Sequence, residues 1–385
     1  MKLKIPSVFL RLTLAVFCLQ LALSSQRTVF NNFVVEELGI RADQLGWIES
    51  VREVPGLLTI VLLIAVAWMA QSLAAGASTI FVAAGLLLYA RAQDVNGLLL
   101  ATVVYSIGFH LFFTLQSAMA LSLVPPEERG KRLGQLSAAV AAATVVAALI
   151  VRITSALFSY RQILSGAGMY AVIAFLVLLT MPRKSATSLH RGLVFRKSYS
   201  IYYWLRLLAG ARRQMFVTFA AFALVSLYGT PVAAMSMLFL VCNALSIFLR
   251  PYVGKLVDAW GEGRALTFNY AMVTLVFLGY AFVPSQLALY LLFAIDFTLS
   301  SFDVALNTFL AKLASPGDVA PTLAMGGTLE HVTAFIAPVA GGYLWARVAP
   351  QATFLLGAVL CLASLGMAVR LRQSGQDRAT AGLPS

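Results

Sequence analysis

The chain has 385 residues, 60% of them hydrophobic and 11% charged, with a formal net charge of +13. A soluble protein carries roughly 25% charged and 45–50% apolar residues, so the apolar surplus exceeds what one soluble core buries and lipid must cover it. The positive charge does not point to nucleic acid, because Lys and Arg collect between apolar stretches, as they do in the cytoplasmic loops of membrane proteins.

A span across the bilayer needs roughly 20 predominantly apolar residues. Twelve such stretches fall at about 8–32, 45–68, 76–91, 97–123, 134–156, 162–181, 206–228, 232–250, 265–283, 286–312, 322–346 and 351–370. Little chain is left for any soluble domain. The basic start followed by an apolar run mimics a secretory signal. The run contains Arg11 and continues past Gln20 to Asn31, so it reads as the first span. Breaks such as Pro125-Pro126-Glu127-Glu128-Arg129-Gly130 and Ser315-Pro316-Gly317-Asp318 divide later spans, since Pro and Gly end helices and charge resists lipid. Cys18, Cys242 and Cys361 all lie in apolar stretches without metal or disulfide spacing, so no metal and no cofactor are expected.

With the amino terminus inside, 19 basic residues fall on the cytoplasmic side and four, Arg41, Arg91, Arg161 and Arg347, on the other. Such a bias orients a membrane protein. Both termini are therefore expected in the cytoplasm. Arg27, Arg52, Arg152, Arg212 and Arg213 lie within spans, the last two near the inner end of span seven. The expected organisation is a six-helix bundle over 1–182, a basic cytoplasmic linker over 183–205, a second six-helix bundle over 206–371 and a cytoplasmic tail over 372–385. The halves repeat weakly. The loops after spans four and ten each carry Pro, an acid two residues on, and Leu five further: Pro126, Glu128, Leu133 and Pro316, Asp318, Leu323.

The loop between spans eight and nine reads Gly254-Lys255-Leu256-Val257-Asp258-Ala259-Trp260-Gly261-Glu262-Gly263-Arg264. Its Gly254, Asp258 and Gly261, with Arg264 as a displaced basic residue, resemble the signature loop of the major facilitator superfamily. The equivalent loop at 69–76 lacks the Asp and every basic residue. The resemblance implies an all-α membrane protein of twelve helices in two six-helix bundles related by pseudo-two-fold symmetry, with spans 1, 4, 7 and 10 around a central cavity. It implies no particular substrate.

Polar residues recur at helical spacing in three of those spans. Span one has Gln20, Ser24, Arg27 and Asn31; span four has Ser106, His110, Thr114 and Ser117, with Gln116 nearby; span ten has Asp296, Ser300, Asp303 and Asn307. Steps of three and four put side chains on one helix face. Ionisable groups inside spans are costly and usually functional. Candidate substrate or proton sites are therefore Asp296, Asp303, Asn307, Glu330, His110, Gln20, Arg27 and Gln116. A carboxyl removed from water holds its proton more readily and so can couple to a proton gradient. The competing reading is an ion pair with a basic residue such as Arg27 or Arg52. Candidate gating residues are Glu49, Arg52 and Glu53 near the outer end of span two, with Gly254, Asp258, Gly261 and Arg264 in the signature-like loop.

These features fit a proton-coupled secondary transporter of a small organic solute, with efflux slightly favoured. The expected form is monomeric, multi-pass in the inner (plasma) membrane, and without a nucleic-acid partner. Alternatives are a lipid-modifying membrane enzyme and a non-transporting scaffold. The chain has no HExxH motif, and no Walker-type phosphate loop to power direct nucleotide-driven pumping.

Overall fold

The computed structural model describes residues 7–183, 195–315 and 317–380. Lys2, Lys4, Lys184, Arg191, Pro316 and the end of the tail lie outside the described residues. Everything regular among the described residues is helical, without strands. The helices are α1 (Ser7–Asn32), α2 (Ala42–Leu57), α3 (Thr59–Val66), α4 (Gln71–Arg91), α5 (Val95–Ser122), α6 (Arg129–Thr154), α7 (Tyr160–Leu179), α8 (Ser200–Tyr228), α9 (Val232–Trp260), α10 (Glu262–Phe282), α11 (Gln286–Leu299), α12 (Asp303–Leu313), α13 (Val319–Arg347) and α14 (Pro350–Thr380). A π-helical turn, Phe33–Glu37, extends α1.

Among the described residues, eleven stretches are long and apolar enough to cross a membrane, with α11 and α12 counted as one. The exception is the second sequence span. Pro55 lies inside α2, and the helix breaks at Leu58 before α3 resumes. A prolyl nitrogen has no hydrogen to donate, and its ring crowds the preceding turn. The bond lost is the one to the Val51 carbonyl, a turn earlier; at the break itself the Thr59 hydroxyl donates to the Gly56 carbonyl at 2.7 Å.

Helix starts follow side-chain chemistry. Asp94 accepts from Gly97 N at 2.8 Å ahead of α5, and Ser159 forms a capping box with Gln162 at the head of α7. Gly229 ends α8 in the left-handed region.

The chain forms two compact units. The first comprises Met1–Ile40, Val51–Leu189 and Thr230–Asn243. Within it α4 packs on α5 and α7, and α1 on α6 and α7. One close approach of α4 and α5 is at Gly85, where a Cβ would stand 2.5 Å from Tyr105 Cα. That proximity lets Tyr89 reach Thr102, hydroxyl to hydroxyl at 2.8 Å, with Phe30 and Tyr105 edge-on to its ring. Buried Asn32 donates to the Thr230 carbonyl at 2.8 Å, tying the start of the third segment to α1.

The second unit comprises Arg41–Ser50, His190–Gly229 and Ala244–Ser385. Here α10 packs on α14, and α8 on α13 and α14. Large apolar side chains such as Leu100, Ile153, Leu176, Leu275, Leu291 and Val359 are exposed. On spanning helices these are the faces hydrocarbon covers.

Gly85→Leu is expected to lower stability by about 1–3 kcal/mol, the usual range for overpacking a close contact. Gly166, where nothing lies within 4 Å of an added Cβ, is expected to accept Ala without loss. Thermal unfolding of both variants in detergent is the measurement.

Candidate functional site

In the second unit, α8 begins at Ser200 after a 3-10 turn over Lys197–Tyr199, earlier than the sequence pattern indicates. Arg212 and Arg213 consequently sit near the centre of a 29-residue helix, not at its inner end. Tyr199, Tyr202 and Tyr203 are buried and belong to the packed helix end, whereas Trp204 remains exposed.

Arg212 is 1% exposed, and its Nη1 donates to Asp296 Oδ1 at 3.2 Å; Asp296 is 5% exposed. The Arg212 Nε has no partner among the described residues. Removing both charges from water costs several kcal/mol per ion, which their attraction offsets only while both are present. Asp296 therefore has its counter-charge on α8, rather than on Arg27 or Arg52.

Arg206 and Arg213 are seven residues apart on one face of α8 and flank Glu330 of α13. Arg206 Nη1 meets Glu330 Oε1 at 2.7 Å, and Arg213 Nη2 meets Oε2 at 2.5 Å. Gly210, between them, makes this possible: a Cβ there would stand 3.0 Å from Glu330 Cα and 2.7 Å from Thr333 Oγ1. Arg206 is further fixed by Nε donating to the Tyr202 hydroxyl at 3.0 Å, by lying over that ring, and by donating to Asn307 Oδ1. Arg213 has a side chain 45% exposed.

The span-ten stripe is not one continuous face. A 3-10 turn, Ser300–Phe302, separates α11 from α12. Because that turn advances about 120° per residue instead of 100°, the residues beyond it rotate out of phase with those before. Asp296 is buried, Asp303 half-buried and Asn307 exposed. Asp303 acts electrostatically on Arg212 and Tyr270 but accepts no hydrogen bond among the described residues.

In the first unit, Glu53 is buried and pairs with Arg52 Nη2 at 3.1 Å. His110 Nε2 stands 4.0 Å from Glu53 Oε2, and its Nδ1 lies 2.9 Å from Ser106 Oγ. The Ser106 hydroxyl donates to the Arg52 carbonyl. Gln20 donates to Ser24 at 2.9 Å, and both lie 3.4 Å from the Thr144 hydroxyl. Gln116 is buried and Arg27 exposed. Thr114 and Ser117 donate to carbonyls of their own helix, His110 and Phe113, at 3.1 and 3.0 Å. Such back-bonding satisfies a hydroxyl without a cavity, so these two lend less to a wet stripe than their spacing indicates.

Of the gating candidates, Glu49 is half-buried and accepts from Gln214 at 3.4 Å within the second unit. The signature-like segment is mostly helix: α9 runs on to Trp260, so Gly254 and Asp258 lie within it. The turn is one residue, Gly261, at φ +76°, a conformation that favours glycine. Asp258 and Arg264 are exposed; Glu262, which opens α10, pairs with Lys312 at 2.7 Å.

The two repeated acids share chemistry. Glu128 accepts from Arg132 Nε at 3.0 Å and Nη2 at 2.9 Å; Asp318 accepts from Arg196 Nη2 at 3.0 Å and Nε at 2.8 Å. Tyr199 also donates to Asp318, at 2.8 Å. These contacts hold the Asp318 carboxyl below its usual range, the Tyr199 hydroxyl first, then Ser315 and Arg196, against the opposing effect of desolvation.

A sequence model of the Major Facilitator Superfamily matches residues 12–320. A stretch of 112 residues is 34% identical to an uncharacterized MFS-type transporter of Methanocaldococcus jannaschii, covering 29% of this chain and 28% of that relative. The nucleoside transporter NupG superposes with a TM-score of 0.77 at 15% identity, over 94% of this chain and 98% of that one. The peptide transporter POT in complex with sulfate gives 0.74 at 13%, over 98% and 96%. A bacterial homolog to the human lysosomal transporter Spinster gives 0.71 at 15%, over 95% and 92%. At these identities the structures establish a shared fold.

Arg212→Met is expected to cost about 3–5 kcal/mol, because it leaves Asp296 buried and unpaired. Adding Asp296→Leu is expected to restore most of that loss, as read by thermal unfolding in detergent. For Asp318 the folded carboxyl titrates below its unfolded value, so its contribution is present at neutral pH and lost on acidification. The melting difference between wild type and Asp318→Asn should be largest at neutral pH and close as the pH falls through the carboxyl range.

Proposed function

The chain belongs to the major facilitator superfamily and is a membrane transporter, and from that premise we propose a secondary active carrier of a small organic solute, coupled to protons. In this reading two six-helix bundles expose a midplane site alternately to each side of the inner (plasma) membrane. Both termini lie in the cytoplasm, which the 19-to-4 charge bias supports. The twelfth crossing is made by α2 and α3 together, 25 residues from Ala42 to Val66. The carrier acts as a monomer. That structural neighbours include a nucleoside transporter and a peptide transporter supports a small organic solute.

The observation that carries the reading is the set of three arginines and three acids in α8, α11, α12 and α13: Arg206, Arg212 and Arg213 with Asp296, Asp303 and Glu330. A helix bundle needs no such set to fold in lipid, and intramembrane charges mark substrate and proton routes. We assign the proton to Asp303, because Asp296 is committed to Arg212 while Asp303 accepts no hydrogen bond among the described residues. Glu330 and Asn307 stand where the polar end of the solute docks. Gln20, Arg27, His110 and Gln116 are the solute or proton candidates of the first unit. Glu49, Arg52 and Glu53 form the outer gate; Gly254, Asp258, Gly261 and Arg264 serve the inner one. Export is the favoured direction, since phenylalanines such as Phe109, Phe113 and Phe293 accompany the polar groups on α5 and α11 and suit an amphipathic solute.

The test begins with a thermal-shift ligand screen on purified protein, followed by flux of the hit in proteoliposomes. Asp303→Asn is expected to lose gradient-driven accumulation by about tenfold or more, the scale of one positioned proton-transfer group or greater, while retaining solute exchange without a gradient. Wild-type accumulation in that variant removes the proton assignment. Binding without flux in the wild-type protein removes the carrier reading.

A further inference from the structure

We propose that Arg206 and Arg213 form a binding subsite for an organic monocarboxylate, held in this structure by the chain's own Glu330. The proposal deepens the carrier reading by naming the charge class of its solute, and rests on that reading for what the subsite is used for.

Charge balance points to it first. Arg212 and Asp296 form a buried pair that closes on itself. Arg206 and Arg213 share one carboxylate between them, so these three groups carry one positive charge in excess, while Asp303, the remaining acid, acts on Arg212. Such an excess in the middle of a spanning helix is costly, and a monoanion removes it.

Geometry fixes the kind of anion. Glu330 presents one oxygen to each guanidinium, Oε1 to Arg206 at 2.7 Å and Oε2 to Arg213 at 2.5 Å. The two arginines thus already grip a planar two-oxygen acceptor, and a guanidinium fork matches a carboxylate well. Their mobilities differ. Arg206 is held on three sides by Tyr202, Asn307 and Glu330, with the aromatic ring beneath it, and has 13% of its side chain exposed. Arg213 has one acidic partner and 45% exposure. The fixed arginine sets the position of the anion, and the looser one turns from Glu330 to an incoming carboxylate.

Access follows from the same exposure. Arg213 is the fourteenth residue of a 29-residue helix, and a half-exposed guanidinium at that depth faces water, not hydrocarbon. Asn307, also exposed, carries an amide N–H beside the site. Glu330 and the ligand compete for the same donors, so removing the charge of Glu330 strengthens binding.

Purified full-length protein in detergent is titrated with sodium benzoate, and the concentration dependence of its melting temperature is compared with that in equal sodium chloride. Benzoate is expected to stabilise the protein beyond chloride. Glu330→Gln is expected to bind benzoate about tenfold more tightly, and Arg213→Gln about tenfold more weakly, the scale of one charge-assisted hydrogen bond. Arg213 is exposed enough that its replacement leaves the fold intact, which keeps the test decisive if Glu330→Gln proves unstable. Equal benzoate affinity in wild type and Arg213→Gln overturns the subsite, as does inorganic phosphate outcompeting benzoate. Proton-driven flux of an uncharged solute, with no benzoate binding, overturns the subsite and leaves the carrier. Benzoate binding that obeys the two variants, without flux of any solute, supports the subsite and removes the carrier reading.

Discussion

A guanidinium at the middle of a lipid-spanning helix must find a counter-charge within hydrogen-bonding distance, and in this chain that requirement organises the second unit. Arg212 is almost wholly enclosed and meets Asp296 on α11. Arg206 and Arg213, on another face of α8, meet Glu330 on α13. Each pairing demands that a neighbouring helix come close at a set height. Gly210 supplies that proximity toward α13, where a larger residue would collide with the backbone at Glu330. The charges thus act as registration marks for helices whose apolar faces alone specify little about axial position.

The first unit solves a gentler version of the same problem. Its buried polar groups are mostly neutral: the Gln20, Ser24 and Thr144 cluster, the Tyr89 and Thr102 hydroxyls, and the Ser106 and His110 pair. Arg52 and Glu53 bring opposite charges together away from the helix ends. The two units also share a device in the loops ahead of α6 and α13, where an acid at the same offset after proline receives both nitrogens of one arginine edge. Glu128 takes an arginine from its own helix, Asp318 one from the chain before α8. The repeat seen in sequence survives as chemistry while the partner changes.

The membrane class, eleven of the spans and the family were legible because they rest on length, apolar content and one turn-forming glycine. Gly261 was readable since its backbone angle needs that residue. Pairing was less legible. Span ten looked like one polar face because sequence spacing assumes an unbroken helix, and the 3-10 turn at Ser300–Phe302 spoils that assumption. The apolar window opens at residue 206, six residues after α8 does, and so puts Arg206 and Arg212 nearer the bilayer edge than the helix itself does. The seven-residue interval between Arg206 and Arg213 was the available signal, and it marks a shared face only once α8 is known to begin at Ser200. No local pattern pairs either arginine with Glu330, more than a hundred residues away.

The single-residue corner at Gly261 has a mechanical corollary. A long, compliant loop would let its two flanking helices shift independently, whereas one residue transmits axial displacement of the C-terminal half of α9 directly into α10. The bond from Glu262 to Lys312 adds α12 to that linkage at the same level. The Gly261 end of the second unit is therefore braced as a three-membered strut, with compliance left to segments elsewhere along these helices, such as the interrupted stretch joining α11 and α12.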